Sequence, residues 1–302
     1  MSRWNTLHGC APRIIAHRGA SGYRPEHTLD AYLLAIAQGA DALEPDVVMS
    51  RDGVLYVRHD LGLNDSTDIA RRPEFARRAR EIAGKRDWWI SDFDAHELDT
   101  LRAIQPVSSR GSQYDGHFIV PRFSQLLDIV AEAGRQRGAS TVVDIEMKHP
   151  EYFRALGHNM AGAVAAELHM RGLAGADAPV WLESFDHAVL RNTHERCGNA
   201  AFALLDTAPS VQLLREAAIW ARGIAPIKFL LWDNATKNTG LVDAAHALGL
   251  EVHAWTFRED RSPAPFASAR EELCAAFALG VDAVFCDFPD VAVKLREEFA
   301  AA

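Results

Sequence analysis

The feature that most restricts how this chain can fold is an alternation. Short β-branched or apolar runs are separated by amphipathic stretches at helical spacing along most of its 302 residues. Such alternation favours a parallel sheet, because parallel neighbours need a crossover of a dozen residues or more and a helix supplies it. The runs predict barrel strands at 13–17, 42–48, 141–147, 180–185, 200–205, 223–229, 251–257 and 282–286. Helices are expected at 27–38, 123–137, 158–170, 187–196, 211–221, 241–248 and 267–279. Gly39, Gly138, Gly249 and Gly280 follow four of these, where a helix commonly stops.

A ninth run, 54–59, follows residues 47–49 across Ser50-Arg51-Asp52-Gly53. That link is too short for a parallel crossover and carries a hairpin signal. Residues 54–58 are therefore read as the return arm of a hairpin above the barrel. Eight strands remain, the number that closes a TIM-type (β/α)8 barrel. Between 61 and 120 the pattern lapses into Arg, Asp, Ser and aromatic residues, including Trp88 and Trp89. A structureless loop of that length is uncommon in a compact domain, so the expectation is one barrel domain, 1–302, with a small cap-like subdomain inserted at 61–120.

Composition excludes several classes. A formal net charge of −9 with no long basic block argues against a nucleic-acid surface. The one basic cluster, Arg71 to Arg86, is interrupted by Glu74 and Glu81 and reads as a solvated helical face. Four scattered cysteines fit neither a zinc ribbon nor a disulfide scaffold, and suggest free buried thiols. No run is long and apolar enough to span a bilayer, and the N-terminus lacks the apolar stretch of a signal peptide. The expectation is a cytoplasmic protein, or a periplasmic one if a leader has been trimmed.

In β/α barrels chemistry gathers at the C-terminal ends of the strands, and reactive side chains collect there. The first strand ends in His17-Arg18-Gly19-Ala20 and the second carries Glu44-Pro45-Asp46. Residues i and i+2 of a strand share a face, so Glu44 and Asp46 point the same way. Paired carboxylates repel unless a cation compensates, and an all-oxygen set suits Mg²⁺ or Ca²⁺ better than zinc. His59 follows the hairpin. In Asp144-Ile145-Glu146-Met147-Lys148 the three charged residues share the inner face, where Glu146 can complete a carboxylate set and Lys148 can meet an anion. Phe185 and Trp255 end two further strands and can wall the organic part of a substrate. The remaining histidines, His253 among them, are read as structural or solvated. Two imidazoles, three carboxylates, an Arg and a Lys on one rim read as phosphate-ester chemistry. No nucleotide loop or serine-esterase elbow competes with that reading.

These residues also resemble a known family. His17-Arg18-Gly19-Ala20-Ser21-Gly22, Pro25-Glu26-His27-Thr28-Leu29, Glu44-x-Asp46, Asp52-Gly53, His59-Asp60, Glu146-Met147-Lys148, Ser184-Phe185-Asp186, Trp255-Thr256 and Cys286-Asp287-Phe288-Pro289-Asp290 are similar, in order and spacing, to the glycerophosphodiester phosphodiesterases. His27 stands where many members have Asn, and with the long insertion it resembles the periplasmic bacterial branch. The resemblance implies hydrolysis of a glycerophosphodiester to glycerol 3-phosphate and an alcohol with one divalent ion, Ca²⁺ or Mg²⁺. It implies Glu44, Asp46 and Glu146 as metal ligands and His17 and His59 as general base and general acid. It implies Arg18 and Lys148 as phosphate contacts, and attack by the glycerol 2-hydroxyl to give a cyclic phosphate that water opens. Two departures stand out: Cys286 replaces a common Thr, and Asp65 replaces an Arg common after the His-Asp pair. The competing readings are lysophospholipase D or sphingomyelinase D-like cleavage, and a catalytically silent phosphodiester-binding protein. The expected partner is a small-molecule glycerophosphodiester, with no nucleic acid, no membrane span and an oligomeric state left open.

Overall fold

The computed structural model describes residues 4–82, 84–233, 237–261 and 266–301. In chain order its strands are β1 (Arg13–His17), β2 (Ala42–Glu44), β3 (Asp46–Met49), β4 (Leu55–Val57), β5 (Arg80–Ile82), β6 (Lys85–Asp87), β7 (Val142–Met147), β8 (Val180–Ser184), β9 (Ala200–Leu205), β10 (Gly223–Pro226), β11 (Glu251–Phe257) and β12 (Ala283–Cys286). The helices are α1 (Leu29–Ala37), α2 (Ala95–Leu98), α3 (Phe123–Arg137), α4 (Pro150–Ala155), α5 (Met160–Met170), α6 (His187–Cys197), α7 (Val211–Ala217), α8 (Leu241–His246), α9 (Ala269–Leu279) and α10 (Pro289–Ala301).

Parallel pairing runs β2-β1-β12-β11-β10-β9-β8-β7, and the β2–β7 pair closes the ring. This is a (β/α)8 barrel in which β2 and β3 together form the second stave. Pro45 separates them because it has no N–H to give the ladder. Beyond it β3 stays parallel to β7, with Asp46 opposite Glu146, and also pairs antiparallel with β4, Val47 opposite Val57. The hairpin is as expected, turning at Gly53 with a φ of +83°.

Side chains alternate across the staves, as a closed sheet requires. In β7 Val143, Ile145 and Met147 pack outward into the core under the helices, while Asp144 and Glu146 point into the lumen. The base of the lumen is plugged by Ile15, Ala42, Trp181, Phe202, Ala283 and Phe285. His253 joins this plug, fully buried and stacked on Phe202 at 3.9 Å.

Some expectations shift. The sixth stave, expected to run to 229, ends at Pro226, with Ile227 still bonding the Leu205 carbonyl at 2.7 Å and bridging Trp255, and residues Lys228–Leu230 turn away as a single 3₁₀ turn. Helix α10 and the short α4 were not anticipated. Both begin at a proline, Pro289 and Pro150, a good first helical residue. The basic cluster is not a helical face. It folds as 3₁₀ turns at Asp68–Arg71 and Pro73–Arg78 and the β5–β6 hairpin. There Arg78 lies 3.7 Å over Phe93 and bonds Glu97. All four thiols are free, with Cys197 and Cys286 buried but Cys10 exposed and Cys274 partly so.

Candidate active site

The site is built where β1, β2, β3 and β7 end. Past His17 the backbone turns through left-handed Arg18 and Gly19, with φ of +60° and +81°. Left-handed geometry costs a non-glycine residue about 1 kcal/mol, and here it aims the Arg18 amide at Glu44. That N–H lies 2.9 Å from the Glu44 Oε2. Gly19 is required twice over: a Cβ there would sit 2.8 Å from the Ala31 carbonyl carbon.

Glu44, Asp46 and Glu146 are buried, and each offers a carboxylate oxygen within 4.8 Å of the others. At an effective dielectric of 20, each such pair repels by about 3 kcal/mol if both partners are charged. Burial first, then its acidic neighbours, pushes Glu44 well above the usual carboxylate range and Glu146 up to about 8. Burial also opposes charge on Asp46, but Lys148, His59, Arg18 and the bond from His27 hold it well below that range. Its Oδ1 is buried and has no hydrogen-bond partner among the described residues. Three convergent hard oxygen ligands with a deficit of positive charge are what a divalent cation would complete, so the donor set fits Mg²⁺ or Ca²⁺.

The two sequence-derived cations face these acids. Lys148 Nζ is 2.7 Å from Glu146 Oε1 and 4.0 Å from Asp46 Oδ1. Arg18 bonds Glu26 at 2.9 Å, and its Nε is 3.4 Å from Asp46.

His17 Nδ1 is 2.7 Å from Asp287 Oδ1. An ionised carboxylate only accepts, so Nδ1 carries the proton and Nε2 is left as the acceptor. Asp287 is held charged: Arg110 reaches its Oδ2 at 2.6 Å and Arg258 at 2.9 Å, and with His17 they draw its carboxyl far below the usual range against the effect of burial. Burial, then the Arg18 charge, lowers the His17 imidazole to about 4. His59 enters from the hairpin. The amide of Arg58 donates to the Asp46 carbonyl at 3.0 Å, so the residue after it lies on the lip beside the acids. His59 Nδ1 bonds Asp60 at 2.7 Å.

A cavity of about 220 Å³ is bordered by His17, Arg18, Glu44, His59, Glu146 and Lys148, with Phe185 and Trp255 on its apolar side. These two rings meet edge to face at 5.7 Å. Asp46 lies just behind this wall. The structure thus brings together every residue expected from sequence.

The glycerophosphoryl diester phosphodiesterase family model matches residues 17–291. The chain belongs to that family. It is an enzyme that hydrolyses glycerophosphodiesters, and relatives bear the same description. A glycerophosphodiester phosphodiesterase of Arabidopsis thaliana is 30% identical over 82% of this chain and 75% of its own. One from Treponema pallidum is 27% identical over 95% of this chain and 92% of its own. The solved glycerophosphodiester phosphodiesterase of Agrobacterium tumefaciens is 26% identical, with a TM-score of 0.66 over 96% of this chain and 100% of that one. An Oleispira antarctica phosphodiesterase, solved with its product sn-glycerol-3-phosphate, shares the fold at 21% identity and a TM-score of 0.72, covering 97% of this chain and 100% of that one.

Several of the enzyme's site residues escaped the sequence reading. His27, at φ +62°, is fully enclosed, with Nε2 2.8 Å from Asp46 Oδ2 and Nδ1 2.8 Å from the Tyr32 hydroxyl. Glu26 anchors Arg18, and Asp287 orients His17. Arg110 arrives from the long segment between β4 and α3, where nothing in the sequence marks it. Glu183 could have been found: it lies two residues after Trp181 on β8, and the alternation that put Asp144 and Glu146 inside puts Glu183 there too.

Proposed function

We propose that the enzyme is a divalent-metal-dependent glycerophosphodiesterase in which His17 is the general base and His59 the general acid. The observation that carries this reading is that both imidazoles border the cavity also bordered by Glu44 and Glu146, the two acids that cluster with Asp46. Glu44, Asp46 and Glu146 would hold one Ca²⁺ or Mg²⁺, which supplies charge for the phosphate and acidifies a bound hydroxyl. Arg18 and Lys148 add positive charge beside the phosphate. Phe185 and Trp255 line the way out for the alcohol.

His17 suits the base role because burial keeps it neutral and Asp287 leaves Nε2 free to accept. In the first half-reaction Nε2 takes the proton of the glycerol 2-hydroxyl as its oxygen bonds phosphorus. His59, at the more open side, gives a proton to the departing alcohol oxygen as the P–O bond breaks. In the second half the roles reverse: His59 takes a proton from water, which opens the cyclic phosphate, and His17 returns one to the 2-oxygen. The products are glycerol 3-phosphate and the alcohol.

The insertion at 61–120 fits the role of a cap. Its Gln105 donates to the Ser21 and Arg24 carbonyls and its Arg110 grips Asp287, so it braces the turn that carries His17. The decisive test is release of glycerol 3-phosphate from glycerophosphocholine and glycerophosphoethanolamine with each ion. Full activity in excess EDTA, or unchanged activity in His17→Ala, would refute the proposal.

A further inference from the structure

One acid on the cavity wall has no part in this scheme. Glu183 is 1% exposed and borders the same cavity, its Cα in register with Glu146 on one side and Phe202 on the other. Neither carboxylate oxygen has a hydrogen-bond partner among the described residues. An unsatisfied buried acceptor typically costs about 1–3 kcal/mol, more if charged, so the site is built to receive a donor. Burial, then Asp144 and the acids above, raises the Glu183 carboxyl well beyond its usual range, and in either protonation state it can accept from a hydroxyl. Asp144, one layer deeper and fully enclosed, does not reach the cavity.

Apart from the Thr256 hydroxyl, the other walls among the described residues offer a glycerol no polar group without a task, Arg258 being bonded to Asp287. His17, Arg18, His59 and Lys148 face the phosphate, and Glu44 and Glu146 belong to the cation cluster. Leu204, Trp255 and Phe285 are apolar. The substrate's terminal hydroxyl, the one neither bonded to phosphorus nor attacking it, is the donor without a partner.

We propose that Glu183 is a specificity residue that accepts a hydrogen bond from the terminal hydroxyl of the substrate's glycerol, restricting the enzyme to diesters in which that hydroxyl is free. This rests on the hydrolysis proposed above and names its substrate class. An acyl ester at that oxygen has no hydrogen to donate. Its chain would also meet the Trp181–Phe202–His253 plug, in which Trp181 and Phe202 centroids are 5.4 Å apart. Lysophospholipids are therefore poor substrates.

The test compares glycerophosphocholine with 2-hydroxyethyl phosphocholine, which keeps the attacking hydroxyl and lacks the terminal hydroxymethyl group. Wild type is expected to prefer glycerophosphocholine by about 30-fold or more in kcat/KM. Glu183→Leu loses about that factor on glycerophosphocholine and changes the truncated substrate by less than about 3-fold, with the concentration of Mg²⁺ for half activation unmoved. Glu183→Gln, which keeps a carbonyl acceptor, restores most of the preference. Equal losses on both substrates, or a weakened response to Mg²⁺, assign Glu183 to the scaffold or the cation and overturn the proposal. Failure of Glu183→Leu to fold does so too, by revealing a structural partner. Wild type equally active on both substrates removes this assignment alone. Wild type inert toward both with either ion removes the proposed hydrolysis as well.

Discussion

Replacing Asp287 by Asn tests the assignment of His17 through a proton that the substitution relocates. The carboxylate accepts three bonds, from His17 Nδ1–H on one oxygen and from Arg110 and Arg258 on the other. An asparagine has one oxygen and one NH₂, so it must choose. Turning its NH₂ toward the arginines would set donor against two cationic donors and forfeit two bonds of about 1.5–3 kcal/mol each. Turning it toward His17 forfeits one bond to a neutral ring. The amide oxygen therefore faces the arginines and the NH₂ faces Nδ1, which must then accept. The His17 proton moves to Nε2, and the base becomes a donor. General-base catalysis contributes about 10²–10⁴-fold, so kcat for glycerophosphocholine should fall by that range, or about 3–5 kcal/mol in the barrier. KM and the Mg²⁺ requirement should change little. The assay is steady-state release of glycerol 3-phosphate under saturating metal, with thermal unfolding as the control for folding. A kcat within tenfold of wild type would refute the tautomer argument and the base role that depends on it. A loss confined to KM would refute it equally.

Three further perturbations separate the remaining roles. Glu146→Gln removes one oxygen anion of the cluster and should lower activity at least about 10³-fold while abolishing tight divalent binding, read by isothermal titration; retained binding would exclude Glu146 as a ligand. His27→Ala should raise the metal concentration for half activation about 10- to 100-fold, the usual effect of losing a partner behind a ligand. His27→Asn, which tolerates a left-handed backbone, should stay closer to wild type, and equal effects would mean that the bond to Asp46 is immaterial. Glu251 lies far from this site, at the base of the barrel. Burial opposes its ionisation, but His253 and Arg222 hold its carboxyl down to about 2, below the unfolded 4.5. A depressed acid stabilises the fold above its unfolded pKa and loses that contribution as pH falls through its folded value. Urea unfolding between pH 5 and 2 should thus lose about 3 kcal/mol from this group, and Glu251→Gln should show a flatter acid limb.

The parts legible in the sequence were those that depend on a periodicity of two or on chain length. Alternation placed Glu44 with Asp46 and Asp144 with Glu146 and Lys148, and the short link at Ser50–Gly53 identified the hairpin. What stayed hidden depends on contacts between distant elements. His17 and Asp287 are 270 residues apart, and no local pattern says that a carboxylate after β12 closes on the imidazole that ends β1 once the barrel seals. Arg110 reaches the same acid from a segment whose irregular turns have no period at all. His27 occupies a left-handed position that Asn would fill at less strain, and only the enclosed bond to Asp46 explains an imidazole there. Asp65 stands where an Arg was expected, and Arg58 supplies a guanidinium nearby, donating to Ser66 at 2.9 Å and to the Gly62 carbonyl.

The two imidazoles are positioned by different means, and the difference bears on how the site tolerates change. His59 is fixed by backbone: Pro45 releases the second stave from β1, β3 pairs with β4, and the Arg58–Asp46 bond ties the residue before His59 to a candidate metal ligand. Asp46 and His59 thus belong to one short ladder, and their separation is set before any side chain packs. His17 depends instead on a carboxylate gripped by two arginines, one of them, Arg110, from the segment between β4 and α3. Shortening or reshaping 61–120 should therefore leave the Asp46–His59 geometry intact while loosening the hold on His17. Replacing Arg110 by Ala isolates that effect. It should lower kcat with little change in the metal concentration for half activation, because none of the described residues of 61–120 belongs to the cluster. A variant that lost metal response before turnover would show that the insertion braces the acids rather than the base.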